Sequence, residues 1–400
     1  MDRGSKYSIT DIIFLLLIII WEDRFFNATF IDAKYFMLAD GIVLPFLCYY
    51  YIKNKNSIFV DGTNFSKCII LFGFAYLAGT ITSYVIYEQP ILKTISRQRG
   101  VLVLLLYFYL HIRRVSEKTL LISIVIYSIM LLGICFMQNM EPDIRLFGQN
   151  YDDMGYVRED FRNGILRIRI DGIIWTLIAF FFYVFRSIEY NSFKNTLFTI
   201  LFAVTIYLSI TRQIIVSALL SPAFVILFYN VKFKKGLLFF YLVIGGIFLI
   251  FYFDSLFGFF IESTTTDISD DGYIRYFSYV YYLNHICDNI LSLLFGHGYA
   301  LEGYELARLR EVLWGYGYYA SDIGLVGLVY DRGIIYVMIF LYIMYNVVGK
   351  YRKVLPYYLV AFVIARLITS VMIYPMHLIQ VAVLLYIVDL YINNSKLCLK

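Results

Sequence analysis

Residues 119–137 read TLLISIVIYSIMLLGICFM, an apolar run without a single charge. As a helix it would rise roughly 28 Å, close to the hydrocarbon thickness of a bilayer. Arg113, Arg114 and Lys118 stand just before it. Just after it, residues 138–172 hold Arg145, Arg158, Arg162, Arg167 and Arg169 and no lysine. A second long polar stretch, 255–320, again has arginine (Arg275, Arg308, Arg310) and no lysine. Solubility needs only charge, so it does not explain the choice. The guanidinium is planar, permanently charged and able to grip phosphate or carboxylate with two hydrogen bonds.

The rest of the chain repeats the apolar pattern. Its 400 residues are 61% hydrophobic and 16% charged, with mean hydropathy +0.72. A soluble chain carries about a quarter charged residues. The sequence predicts an all-α polytopic membrane protein with about twelve spans. They fall near 9–26, 35–52, 68–87, 100–112, 119–137, 172–187, 196–211, 213–230, 236–254, 321–347, 355–374 and 376–392. The fourth is short and follows Lys93, Arg97 and Arg99, which leaves an interfacial or re-entrant segment open. The whole of 1–400 reads as one membrane domain with two large external loops, 138–171 and 255–320.

Orientation follows from the short basic loops. Lys53, Lys55 and Lys67, then Arg113, Arg114 and Lys118, then Arg186 and Lys194, then Lys232, Lys234 and Lys235, then Lys350, Arg352 and Lys353 alternate along the chain. The positive-inside rule puts them, and both termini, in the cytoplasm. The first apolar run lacks a small-residue cleavage site and is expected to remain as a span. Four of the five cysteines, Cys48, Cys68, Cys135 and Cys398, fall in spans or the tail, so only Cys287 is external and no disulfide framework is expected. No His/Cys spacing suits zinc, and a net charge of +5 is too dilute for nucleic acid. No phosphate-binding loop or dinucleotide fingerprint occurs. Neither a metal nor another cofactor is expected.

Within the first external loop, Arg158 and Arg162 are four apart, so a helix would put them on one face. Arg167 and Arg169 lead into a span, where headgroup anchoring is as good a reading as substrate binding. In the second loop, Tyr276, Tyr279, Leu283, Ile286, Ile290 and Leu293 recur at helical spacing opposite Arg275, His285 and Asn289. This predicts an amphipathic helix over 274–295 that lies on the membrane or roofs a cavity. It ends at Gly296-His297-Gly298, and Gly- and Tyr-rich sequence follows from Gly303 to Tyr319. Ser321-Asp322 opens the next span, where Asp322 could cap the helix, meet substrate, or both. Arg212 separates two apolar runs by barely a turn, and Arg366 lies mid-span, shortly before His377. Charge at such depth is costly unless paired or facing water. His111, beside Arg113 and Arg114 at the cytoplasmic end, reads as non-catalytic.

Three local signatures in this order resemble the O-antigen polymerases of bacterial envelopes, within the O-antigen ligase and polymerase superfamily. They are Ser209-Ile210-Thr211-Arg212-Gln213, then Arg275 followed by NILSLLFGHG (Asn289–Gly298), then Ser321-Asp322-Ile323-Gly324-Leu325 running to Arg332-Gly333-Ile334. The resemblance also covers the topology of nearly the whole chain and implies a GT-C-like fold. The ligase branch typically carries a His-Asn pair where Ser321-Asp322 stands here, which favours a polymerase.

The resemblance implies a glycosyltransferase of the bacterial inner membrane. It would join oligosaccharide repeats carried on undecaprenyl pyrophosphate at the periplasmic face. Fixed arginines would stabilise the departing pyrophosphate, with Arg212 and Arg275 first and Arg158, Arg162 and Arg167 next. His285 and Arg308 are further candidates for binding substrate. Asp322 or His297 would orient or deprotonate the acceptor hydroxyl. A chain-length regulator and a flippase are the expected protein partners, besides membrane lipids. A polysaccharide-lipid flippase is the rival reading, which should concentrate charge inside the spans. An O-antigen ligase is the rival within the enzyme class.

Overall fold

The structure is a computed structural model. It describes residues 8–58, 63–141, 146–148, 161–162, 165–166, 170, 172–190, 192–209, 211–229, 274–369 and 378–398. Those residues are overwhelmingly helical, with one two-residue β pairing. The helices are α1 (Ile9–Glu22), α2 (Arg24–Asn27), α3 (Ala33–Ile58), α4 (Ser66–Tyr87), α5 (Ile91–Arg97), α6 (Leu106–Arg113), α7 (Glu117–Met140), α8 (Ile173–Tyr190), α9 (Phe193–Leu208) and α10 (Arg212–Phe228). After residue 273 come α11 (Ile274–His285), α12 (Ile290–Phe295), α13 (Glu305–Gly315), α14 (Leu325–Tyr345), α15 (Tyr357–Thr369) and α16 (Leu378–Cys398).

Among the described residues, six helices are long and apolar enough to cross a membrane: Lys34–Asn54, Ser66–Tyr87, Glu117–Met140, Ile173–Tyr190, Leu325–Lys350 and Leu378–Ser395. Phe193–Leu208, Gln213–Phe228 and Tyr357–Leu367 are apolar but shorter. The expected span at 236–254 lies outside the described residues.

Local chemistry explains several boundaries. Ser116 caps α7 by accepting the Thr119 N–H at 3.2 Å, and Ser8 caps α1 through Asp11 N–H at 3.2 Å. The expected fourth span is a composite. α5 passes through a 3₁₀ stretch, Arg99–Leu105, into α6. Leu106, Tyr107, Phe108 and Leu110 are wholly buried, so α6 is packed core, whereas Ile91, Leu92 and Ile95 of α5 are exposed. α6 stays short because α3 and α16 enclose it on both sides.

The helix ends sort into two groups. Asn64 donates to Asp389 at 2.8 Å, and the Phe65 ring meets Tyr351 at 6.4 Å. Tyr358 and Tyr391 both donate to Glu117, at 2.5 and 2.7 Å. Tyr229 donates to the Val348 carbonyl at 3.1 Å, and the Phe185 ring meets Tyr357 at 5.7 Å. These ties gather the helix ends beside Lys67, Arg113, Lys118, Arg186, Lys194, Lys350 and Arg352 at one end of the bundle, the basic end. Tyr87, Met140, Ile173, Thr211 and Leu325 terminate the same helices at the opposite end.

At that opposite end, fragments of the first loop pack back onto the start of the chain. Gln138 accepts the N–H groups of Leu146 and Phe147, and Gly148 N–H bonds the Phe26 carbonyl at 3.1 Å. Asp23 is buried and accepts Gly172 N–H at 2.8 Å and the Tyr127 hydroxyl. Arg24 to Asn27 form a left-handed turn, with φ from 47° to 61°.

The second loop differs from its sequence reading. The amphipathic pattern over 274–295 is two helices, α11 and α12, not one. Asn289 breaks it, because its side chain accepts Leu291 N–H at 2.8 Å and restarts the helix as a cap. The Gly- and Tyr-rich segment contains the helix α13, anchored by Leu306, Ala307 and Leu313.

Candidate functional site

A junction of three segments organises the non-basic end. The long helix α14 is broken at Gly333, with φ 81° and ψ 164°. Such a break frees carbonyls that a helix would otherwise satisfy. The segment Gly296-His297-Gly298 supplies the missing donors. His297 N–H bonds the Tyr330 carbonyl at 2.8 Å, and Gly298 N–H bonds the Asp331 carbonyl at 3.1 Å. On its other side this segment lies on α4, where Ser83 donates to the His297 carbonyl at 3.0 Å.

The approach leaves no room for side chains. A Cβ on Gly298 would sit 2.3 Å from the Gly79 carbonyl oxygen, and one on Gly333 would sit 2.3 Å from the Leu294 carbonyl oxygen. A Cβ on Gly296 would meet the Arg332 nitrogen at 2.4 Å. The glycines of this motif are backbone-contact glycines.

Two arginines lock the junction. Arg310, from α13, donates to the Gly298 carbonyl at 2.8 Å and to Asp331 at 2.9 Å. Arg332 is buried, donates to Gln98 at 3.3 Å and Tyr76 at 3.2 Å, and lies 4.1 Å from the Tyr76 ring centroid. Gln98 passes the chain on to Thr80 at 3.2 Å.

His297 is 5% exposed, and its ring stacks on Tyr330 with centroids 4.0 Å apart. Its Nδ1 lies 2.5 Å from the Tyr87 hydroxyl. Burial pushes its pKa down to about 4, and the nearby Asp331 carboxylate opposes this only in part. The imidazole is therefore neutral near pH 7 and enclosed. Geometry suits it to holding the loop better than to meeting a sugar hydroxyl.

Asp322 is exposed, in a single 3₁₀ turn (Ala320–Ile323) ahead of α14. Its N–H bonds the Tyr319 carbonyl at 3.0 Å. It does not cap α14. The N-cap is Gly324, and no side chain bonds there, because φ 60° and ψ −126° at Gly324 turn the chain away. Gly327 packs so closely on Ala320 that its missing Cβ would lie 1.8 Å from the Ala320 carbonyl oxygen. The Asp322 turn is thus fixed to the helix by backbone contact, and its carboxylate is left to solvent.

α11 carries Arg275 in its first turn and packs against both the Asp322 turn and α14. Tyr282 of α11 donates to the Tyr318 carbonyl at 3.0 Å and meets the Tyr330 ring at 4.7 Å. The second and third sequence signatures are therefore one packed unit. The first signature is not part of it. Arg212 opens α10, whose main partners are α15 and α8. It lies at the same level all the same, because Tyr229 at the far end of α10 is tied to the basic end. Arg366, buried in α15, lies toward this end too.

The other candidates divide. Arg162 belongs to a two-residue strand, Phe161–Arg162, paired antiparallel with Ile165–Leu166. Arg162 is not on a helix, so the shared helical face with Arg158 does not form there. Arg145, Arg158, Arg167, Arg169 and His377 lie outside the described residues. Arg308 is exposed on α13, and His285 stacks on Tyr281 at 4.1 Å. His111 lies at the basic end, 3.2 Å from Asp389. Among the described residues, no group of three His, Cys, Asp or Glu side chains could hold a metal.

The sequence reading did not single out Arg310, Asp331, Gln98 or Tyr87. A signal existed for Asp331-Arg332, an adjacent charge pair followed by glycine within an apolar span. No family model matches the chain, and no curated protein matches it.

Proposed function

We propose that this chain is an O-antigen polymerase, a glycosyltransferase joining lipid-pyrophosphate-linked oligosaccharide repeats at the periplasmic face of the bacterial inner membrane. The observation that carries the reading is the packing of the Arg275 helix against the exposed Asp322 turn, at the end of the bundle opposite the basic loops. That arrangement joins the helix that carries Arg275 in its first turn to a turn whose carboxylate solvent reaches. An acceptor hydroxyl could be oriented by Asp322 while the departing pyrophosphate is neutralised by arginine. Arg212, which opens α10 at the end away from the basic loops, would extend the anion-binding face, while Arg366 lies deeper, buried in α15. Arg310, Arg332 and His297 would hold the frame. With pyrophosphate already attached to the donor, no nucleotide sugar and no further cofactor are required.

The flippase keeps one observation in its favour: Asp331, Arg332 and Arg366 are charges inside spans, as a transport path would need. Deletion in a strain that makes long-chain lipopolysaccharide separates the readings. A gel of the polysaccharide should show core carrying a single repeat. Complete loss of repeats from the core would mean a flippase or ligase, and unattached lipid-linked polymer would single out the ligase.

A further inference from the structure

A cavity of about 970 Å³ opens at the basic end, far from the junction, between α7, α8, α9, α15 and α16. Its rim is cationic: Lys118, Arg186 and Lys194 are exposed around it, against one exposed carboxylate, Glu189. The other acid in its wall, Glu117, has its oxygens occupied by the Tyr358 and Tyr391 hydroxyls at 2.5 to 2.9 Å. Arg186 is held by aromatic neighbours. Its guanidinium lies 5.4 Å from both the Phe182 and Tyr190 ring centroids, one helical turn to either side. Among the described residues no carboxylate forms an ion pair with it.

The inner wall has a different character. Leu121, Ile122, Val125 and Ile126 form two adjacent rows on α7, rising from Lys118 toward the middle of the helix. Over eight residues that is a rise of roughly 12 Å. A free phosphate needs cations but no apolar wall. A molecule with an anionic head and a hydrocarbon tail needs both, in this order and at this depth.

We propose that the cavity binds one anionic phospholipid from the adjoining leaflet. Its phosphate sits on Arg186 and Lys194, with Lys118 beside it, and its acyl chain lies against the Leu121–Ile126 wall. The guanidinium fork suits a phosphodiester, and the two flanking rings hold its charge at the rim by cation–π attraction. The bound lipid would bridge α7, α8 and α9; at this end α8 and α9 are also joined by a bond from Asn195 to the Arg186 carbonyl at 3.3 Å. This site is independent of the reaction proposed at the other end.

The test is native mass spectrometry of the full chain, delipidated in detergent and titrated with dioleoyl-phosphatidylglycerol in mixed micelles. One tight lipid should bind. The double variant Arg186→Gln, Lys194→Gln should weaken it about 25-fold, from about fivefold per basic residue facing an anionic headgroup. Ile122→Trp, which fills the wall without touching the rim, should also expel the lipid while the melting temperature holds. Lys350→Gln with Arg352→Gln, at the same end but outside the cavity, should leave binding unchanged. Equal retention by wild type and both cavity variants would overturn the proposal. Displacement of the lipid by millimolar inorganic phosphate, with no dependence on Ile122→Trp, would also overturn it by assigning the site to a free anion.

Discussion

Asp322 is the first candidate for the acceptor-activating group and His297 the second, and their surroundings separate them. Asp322 is solvent-exposed on a turn that backbone contacts hold rigid, whereas His297 is enclosed by Tyr87, Tyr330 and the α4 backbone. Asp322→Asn keeps the volume and removes the charge. Because Asp322 makes no cap, its loss should leave the melting temperature unchanged while polymer formation falls about 10²-fold or more. Normal long-chain polymer from the Asn variant would remove Asp322 from the mechanism. For His297 the sign of the pH effect follows from its pKa of about 4, below the ordinary histidine value. The unfolded chain takes up the proton first. Stability from the neutral ring is therefore whole above about pH 6.5 and drains away as pH falls toward 4. A pH series of detergent melting curves should show this loss, and His297→Asn should flatten it. The residue types were legible in the sequence, but burial was not. Nothing in Gly-His-Gly says that its backbone will fill a gap in a helix about 35 residues later.

At the scale of elements, the account rests on the glycine junction between α4, α14 and the segment after α12. Gly298→Ala must push a methyl into the Gly79 carbonyl, and Gly333→Ala into that of Leu294. Each should cost about 3 kcal/mol or more, from overpacking together with a positive φ. Gly303 also has positive φ, 86°, but open space around it, so Gly303→Ala should cost only about 1–2 kcal/mol. Thermal melting of the three purified variants checks the ranking; equal losses would mean that φ alone, and not the close approach, is what matters. The sequence placed Gly296 and Gly298 at a turn, since glycine after an apolar helix commonly ends one, but predicted no turn at Gly333. It read α11 and α12 as continuous because the apolar spacing runs unbroken across Asn289, whose cap competes with that spacing. It missed α13 because Gly303 and the tyrosines after Gly315 masked the Leu306, Leu309 and Leu313 repeat.

For the whole molecule, the long apolar helices and the gathering of basic loops at one end were readable from hydropathy and charge alone. Hydropathy cannot reveal that 106–110 is core, because a buried segment and a lipid-facing one are equally apolar. Topology reporters fused at Asp153 and Glu305 should read external, and one after Lys353 cytoplasmic. Cytoplasmic readouts at the first two would overturn the site. Arginine chemistry should matter at this scale too, since Arg212 and Arg275 open separate helices. Arg→Lys at either keeps charge but loses the fork, and should shorten the polymer severely at unchanged protein level. Full activity of both lysine variants would remove the pyrophosphate clamp. The most direct measurement is reconstitution of the purified chain in vesicles with undecaprenyl-pyrophosphate-linked repeat and no nucleotide sugar. The account predicts a ladder of lipid-linked polymer with release of undecaprenyl pyrophosphate, abolished by Asp322→Asn; a folded protein that moves the lipid-linked repeat across the bilayer and forms no glycosidic bond would contradict it.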